Sequence, residues 1–164
     1  MAMTTKLTGA VVVVSDRIVS GERGDQAGPI ARELLSAAGV DVREVIVVPE
    51  GIDAVAARLR AALVDGVRVI VTVGGTGVGP RNQTPEATAP LLSIQLTGVA
   101  TQILLEGLES SAQAGLSRGL VGLTGREAGA SLIVNAPGSQ GGVRDTLGVL
   151  CPLLPHIFER LGRD

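Results

Sequence analysis

The chain of 164 residues has no tryptophan, no tyrosine and a single phenylalanine. A flat ring bound here must lie against aliphatic groups and peptide planes. Single-stranded nucleic acid, which is held by stacking on aromatic side chains, fits such a chain poorly. A formal net charge of -2 leaves no basic footprint for nucleic acid either. One cysteine, Cys151, excludes an intrachain disulfide and a cysteine-rich zinc site, and suits a reducing cytoplasm. It lies between Leu150 and Pro152 and reads as a small core residue. The one histidine, His156, sits among prolines and leucines near the C-terminus, so no Ser-His or Cys-His nucleophile can be assembled elsewhere. That argues against acyl-transfer hydrolysis. The apolar runs are too short to span a membrane, and MAMTTKLTGA lacks the apolar core of a signal peptide. Neither nucleic acid nor membrane is an expected partner.

What the chain does have is 45% hydrophobic residues and 23 glycines. The length suits one domain, taken as 1–164 with residues 1–9 as a flexible N-terminal tail. Its organising stretch is VRVIVTVGGTGVGPRNQTPE, residues 67–86. Residues 67–73 are nearly all β-branched, as in a strand buried on both faces. Gly74, Gly75, Gly77 and Gly79 follow within six positions. Glycines there permit positive φ and let a ligand approach the backbone without a Cβ in the way. A β-branched residue at Gly75 is therefore expected to obstruct the ligand and spare the fold. Thr84, Pro85 and Glu86 read as an N-cap, a first-turn proline and an acidic first turn. Free N–H groups beside such a helix start suit an anion such as phosphate. The loop is no P-loop, since Pro80-Arg81 stands where Lys and Ser/Thr are needed, and it lacks the dinucleotide fingerprint G-x-G-x-x-G.

Taken in order, the chain alternates strand and helix. AVVVV (10–14) reads as a buried strand running into Ser15-Asp16-Arg17. Gly28-Pro29 opens a helix with Ile30, Leu34 and Ala38 on one face, ended by Gly39. A strand over 42–48 stops at Pro49-Glu50-Gly51, and Asp53 is expected to cap the next helix. Beyond Glu86 the pattern predicts a short helix over the loop, a longer one from about Gly98 to Ala112, and strands at 120–123 and 131–135 joined by a polar turn. Ser139 reads as the N-cap of a last helix whose seam runs Val143, Leu147, Leu150, Leu154, Ile157 and Leu161. That seam should dock on the sheet or on another subunit, and Pro152 and Pro155 should kink or break the helix near Cys151. The expected fold is a three-layer α/β sandwich with a mainly parallel sheet. Three glycine-bearing loops, after Val14, Val73 and Asn135, then share the carboxyl edge of that sheet, where open α/β folds bind ligands.

Asp16, Asp25 and Glu50 could gather at that edge. Carboxylates beside a phosphate loop suit Mg²⁺, which takes one or two of them plus phosphate oxygens. Arg17, Arg81 and Arg118 could pair with phosphate through two parallel hydrogen bonds.

Ser15-Asp16-Arg17, Asp25-x-x-Gly28-Pro29, Gly74-Gly75-Thr76-Gly77, Thr84-Pro85-Glu86, Leu116-Ser117-Arg118-Gly119 and Asn135-x-Pro137-Gly138 occur in this order. The set resembles the MoaB/Mog family of molybdenum cofactor biosynthesis proteins. The resemblance implies a molybdopterin-binding fold, a homo-oligomer (usually a trimer) and a place among other molybdenum cofactor biosynthesis proteins. It also implies adenylyl transfer, in which molybdopterin and Mg-ATP give adenylyl-molybdopterin and pyrophosphate, or alternatively a non-catalytic or weakly active molybdopterin-binding paralogue acting in storage, delivery or scaffolding. Carried onto this chain, it nominates Glu50 and the position of Asn82 for catalysis, with Glu50 and Asp25 for the metal. Ser15, Asp16, Asp25, Gly74, Gly75, Thr76, Gly77, Arg81, Thr84, Pro85, Glu86, Ser117, Arg118, Asn135, Pro137, Gly138 and Ser139 are nominated for substrate and nucleotide. The chain departs from the family pattern at four places. Asn82 stands where an aspartate follows the arginine, and Glu50 where an aspartate follows the proline. Thr101 and Leu104 stand where the helix after Gly98 commonly carries Glu and Arg.

Overall fold

The computed structural model describes residues 5–163. The first strand, β1 (Thr8–Val14), is followed by the single helical turn α1 (Asp16–Val19), helix α2 (Ala27–Ala37) and strand β2 (Asp41–Val48). Helix α3 (Ile52–Val64) leads to β3 (Val69–Val73), then α4 (Thr84–Thr88), β4 (Ile94–Gln95) and α5 (Thr97–Leu108). A hairpin of β5 (Val121–Leu123) and β6 (Leu132–Ala136) precedes α6 (Gln140–Leu150) and α7 (Leu154–Arg160). The six strands form one sheet in the order β2-β1-β3-β6-β5-β4. The first four are mutually parallel, and β5 and β4 complete the sheet antiparallel. This is the sandwich that the strand–helix alternation predicts.

The two faces of the sheet follow from the alternation of side chains along each strand. Val11, Val13, Val69 and Val71 pack with Ala31 and Leu35 of α2 and with Val143, Leu147 and Leu150 of α6. Ala10, Val12, Val14 and Ile70 pack on the opposite face against Val55, Ala56, Leu59 and Ala62 of α3. Leu59 and Leu147, buried on opposite sides, each contribute roughly 2 kcal/mol of transfer free energy. The seam of the last helix therefore docks on the sheet and is not left over for another subunit. Its two prolines break it as expected, with a tight turn at Cys151–Leu153 between α6 and α7. The apolar surface left exposed lies elsewhere. Helix α5 buries none of its residues, and Leu104, Leu105, Leu108 and Leu116 are 38–59% exposed.

Several local expectations need correcting. The presumed tail ends early, because Thr8 and Gly9 already pair with Asp41 and Val42 in the sheet; residues 1–4 lie outside the described part. Gly51, at φ 109°, occupies the cap of α3, and Asp53 sits in the first turn. Gln83 is the cap position of α4, which places Thr84 and Pro85 inside the helix. Helix α5 ends at Leu108, and a separate tight helix spans Ala112–Leu116. Ser139 does cap α6, its hydroxyl accepting from the Gly142 N–H at 3.0 Å.

The topology positions the site. From β1 the chain moves through α2 to β2 on one side, then crosses by α3 to β3 on the other side. This reversal of strand order beside β1 opens a crevice at the carboxyl ends of β1 and β3. Val13 pairs with Val73 and Val73 with Ala136, so the loops after β1, β3 and β6 leave the sheet at one level.

Candidate functional site

Two cavities open at this edge. The first, of about 540 Å³, is lined by Ser15 after β1, Asp25, Glu50 after β2, Gly74–Gly77 after β3, Asn82, and Gly138–Gln140 at the start of α6. The second, of about 680 Å³, lies between α5 and α6 and is lined by Ala100, Thr101, Ile103, Leu104, Ser117, Asn135 and Pro137, among others. The two meet at Gly138 and Ser139, which line both.

The glycine loop has its shape because a side chain has no room there. Gly74 and Gly75 adopt φ of 105° and 71°, which L residues rarely take. A Cβ on Gly74 would run into the Val14 carbonyl, and one on Gly75 into the Thr84 hydroxyl. The expectation that a β-branched Gly75 would block only the ligand is thus corrected: Gly75 is needed by the fold itself. Gly75→Ala should lower the melting temperature by roughly 4–8 °C, about 2 kcal/mol in a domain of this size, as read by thermal circular dichroism. A melt unchanged from the parent would overturn this account of the loop.

Glu50 and Asn82 meet on the wall of the first cavity. The Asn82 amide donates to Glu50 Oε1 at 2.7 Å and its oxygen accepts from the Gly79 N–H at 3.0 Å. Glu50 Oε2 accepts from the Asp16 N–H at 3.4 Å, and the Glu50 N–H donates to Asp16 Oδ1 at 3.1 Å. The loops after β1, β2 and β3 are thereby tied through one carboxylate. Each Glu50 oxygen accepts one hydrogen bond and keeps a lone pair for a ligand. Asp25 faces the same cavity while accepting from the Gly28 N–H at 2.8 Å. Among the described residues, no group of three or more acidic, histidine or cysteine side chains is placed to hold a metal alone.

The structure gives the nominated arginines other work. Arg81 grips Asp16 with two hydrogen bonds, at 2.6 and 3.1 Å, and donates to the Glu50 carbonyl at 2.8 Å. That guanidinium holds the Asp16 carboxyl below the usual carboxylate range, and Asp16 raises Arg81 in return. Arg118 clasps Glu86 at 2.7 and 3.0 Å and also donates to the carbonyls of Gly77 and Asn82. Glu86 is lowered and Arg118 raised by this pair. Asp16, Arg81, Thr84, Pro85, Glu86 and Arg118 line neither cavity and serve as the frame of the loops.

Asn135 lines the second cavity and is also tied into the frame. Its amide donates to the hydroxyls of Thr72 and Thr88 and its oxygen accepts from the Leu120 N–H, all at 3.0 Å, so the buried side chain is fully committed. Thr76 and Ser117, linked hydroxyl to hydroxyl at 3.3 Å, stand between the cavities, one lining each. Arg23, Gln26 and Gln140 of the first cavity are absent from the sequence-based set. The Gln140 amide donates to Gln26 Oε1 at 2.6 Å, closing the rim between the starts of α2 and α6.

A family profile described as "Probable molybdopterin binding domain" matches residues 10–156. The chain belongs to the MoaB/Mog family of molybdopterin-binding domains. This molybdopterin-binding chain is 31% identical over 149 residues to the Molybdopterin adenylyltransferase of Pyrococcus furiosus, covering 91% of this chain and 88% of that one. It is 36% identical over 155 residues to the Molybdenum cofactor biosynthesis bifunctional protein of Chlorobaculum tepidum, covering 94% of this chain and 48% of that protein. The chain spans half or less of the length of several such longer relatives. A molybdopterin biosynthesis protein of Mycobacterium abscessus superimposes with a TM-score of 0.86 at 42% identity, over 94% of this chain and 95% of the other. Within the family fold, the departures at Thr101 and Leu104 fall on the wall of the second cavity, and that at Asn82 falls on the wall of the first. No helix among the described residues is long and apolar enough to cross a membrane.

Proposed function

We propose that this domain acts in molybdenum cofactor biosynthesis as a molybdopterin adenylyltransferase. The observation that carries the reading is the pair of adjoining cavities meeting at Gly138 and Ser139. The first is polar, glycine-floored and faced by two carboxylates, and suits the nucleotide with its phosphates. The second sets Ala100, Ile103, Leu104 and Val121 beside hydroxyl and amide side chains such as Thr101, Ser117 and Gln113, and suits a pterin, whose ring is flanked by polar edges and finds no aromatic partner in this chain. A phosphate oxygen of molybdopterin attacks the α-phosphorus of ATP, a new P–O bond forms, the bond to the β-phosphate oxygen breaks, and pyrophosphate leaves. The attacking phosphate is ionised near neutral pH, so no general base is needed, and the chain's task is positioning and charge balance. That agrees with cavities whose lining includes neither histidine nor cysteine.

Mg²⁺ fits here. Glu50 has unfilled lone pairs on the cavity wall and Asp25 shares that cavity, and one or two carboxylates plus phosphate oxygens make an ordinary Mg²⁺ site. The metal would neutralise charge on the polyphosphate. Glu50 is oriented by the Asn82 amide and the Asp16 N–H; the N–H groups of the glycine loop hold phosphate oxygens; Ser139 begins the helix that faces them. The reading places the chain in the cytoplasm. It is tested by coupled pyrophosphate release with molybdopterin and Mg-ATP, which must be absent without either substrate. One observation favours a second reading, a molybdopterin-binding protein without turnover: the amide of Asn82, and no second carboxylate, is the partner of Glu50.

We also propose that the chain is a homo-oligomer, with the trimer implied by the resemblance, joined through the leucine face of α5 and Leu116. These side chains are exposed on a helix that packs its other face, Val99, Ala100 and Ile103, against the core without fully burying any residue, and an apolar patch of this kind marks a contact surface. Light scattering should give three times the chain mass for the parent and a monomer for a Leu105→Arg/Leu108→Arg variant. A monomeric parent at micromolar concentration would remove the claim.

A further inference from the structure

We propose that Arg23 is the side chain that grips the polyphosphate in the first cavity; the inference rests on the adenylyl-transfer reading above. Every other arginine near this edge is engaged. Arg81 is held by Asp16, Arg118 by Glu86, and Arg17 faces Glu22 at 3.9 Å. Arg23 is the one cationic residue lining the cavity, opposed there by Asp25 and Glu50. Its guanidinium has no carboxylate or carbonyl partner among the described residues, while its backbone N–H is pinned to the Arg17 carbonyl at 3.2 Å. The chain thus fixes where the arginine starts and leaves its five donors unspent. Gly21, at φ 79°, and Gly24 bracket it and set the loop at the cavity mouth.

The charge balance gives this placement its meaning. A lining with two carboxylates and one guanidinium repels a polyphosphate unless cations enter with it. Mg²⁺ brings one part of that charge and Arg23 the other, and the planar guanidinium matches two phosphate oxygens at once. The cavity carrying Arg23 is the one with the glycine floor, so the arginine serves the nucleotide and not the pterin.

The test titrates Mg-ATP and, separately, molybdopterin into the parent, Arg23→Ala and Arg23→Lys by calorimetry. Arg23→Ala should bind Mg-ATP about tenfold to a hundredfold more weakly, the loss of a charge-assisted pair, and bind molybdopterin as the parent does. Arg23→Lys should recover part of the loss, since an ammonium restores charge but not the paired geometry. The side chain is exposed, so the variants should melt like the parent. Unchanged Mg-ATP affinity in Arg23→Ala overturns the role of Arg23 and leaves the adenylyl-transfer reading standing. Equal weakening of both ligands also overturns it, because the arginine would then act as general surface charge. A parent that binds molybdopterin but no Mg-ATP overturns both.

Discussion

Glu50→Gln is expected to lower pyrophosphate release by a factor of several hundred, with molybdopterin binding retained. The magnitude corresponds to about 3–4 kcal/mol of charge stabilisation lost where the polyphosphate is neutralised. The change is nearly isosteric, so the backbone need not move. Glu50 does more than carry charge, however: its two oxygens accept from the Asn82 amide and from the Asp16 N–H. A glutamine has one acceptor oxygen and must turn its NH₂ toward one of those donors, so one tie between the loops is lost as well. The structural part should appear as a modest fall in melting temperature, about 1 kcal/mol for one hydrogen bond. The catalytic part should appear in turnover and in the loss of any dependence on Mg²⁺ concentration. Full pyrophosphate release by Glu50→Gln would exclude Glu50 as the carboxylate that manages the substrate's charge.

The sheet and its glycine loops were readable from the chain because their causes are local. Runs such as AVVVV and VIVTV commit to buried strands, and glycine clusters directly after them mark the places where backbone passes close to backbone. The frame of the loops was legible only as chemistry. Arg81 stands beside the glycine loop in sequence and Arg118 beside Gly119, yet each meets a carboxylate from a distant segment, Asp16 and Glu86, and is spent there. Nothing local distinguishes an arginine held by an aspartate 65 residues away from one free to hold a ligand. Thr84 and Asn135 are nominated as ligand residues for the same reason, since nothing local shows that their polar groups are taken up by Gly74, Thr72 and Thr88 across the sheet edge. Arg23 could have been noticed from its position between Gly21 and Gly24, but only the folded chain shows that it reaches the cavity. The exposed leucines of α5 were hidden by a stronger pattern, the regular seam of the last helix, whose Val143, Leu147, Leu150 and Leu154 are buried in the core.

Asn82→Asp is expected to raise Mg²⁺-dependent pyrophosphate release by about tenfold or more, the direction that adenylyl transfer requires of a second carboxylate on Mg²⁺. The present contact explains why the change acts on charge with little effect on packing. One oxygen of the new aspartate keeps the Gly79 N–H, while the other takes the place of an amide nitrogen 2.7 Å from Glu50 Oε1. Two carboxylates at that distance repel, so in the absence of metal the pair should be destabilised or should hold a proton at a pH where one carboxylate would have lost it. A divalent cation relieves the repulsion, and the variant should therefore melt lower than the parent in chelator and recover when Mg²⁺ is added. Glu50→Gln in the same background should remove both the Mg²⁺ rescue and the gain in release. If Asn82→Asp recovers stability with Mg²⁺ and still releases no pyrophosphate while binding molybdopterin, the obstacle lies at the second cavity, where Thr101 and Leu104 form the wall, and the binding-protein reading prevails. If the parent already turns over at an ordinary enzymatic rate and Asn82→Asp is no faster, the amide is no handicap: Glu50, with the metal it shares with the phosphates, is enough.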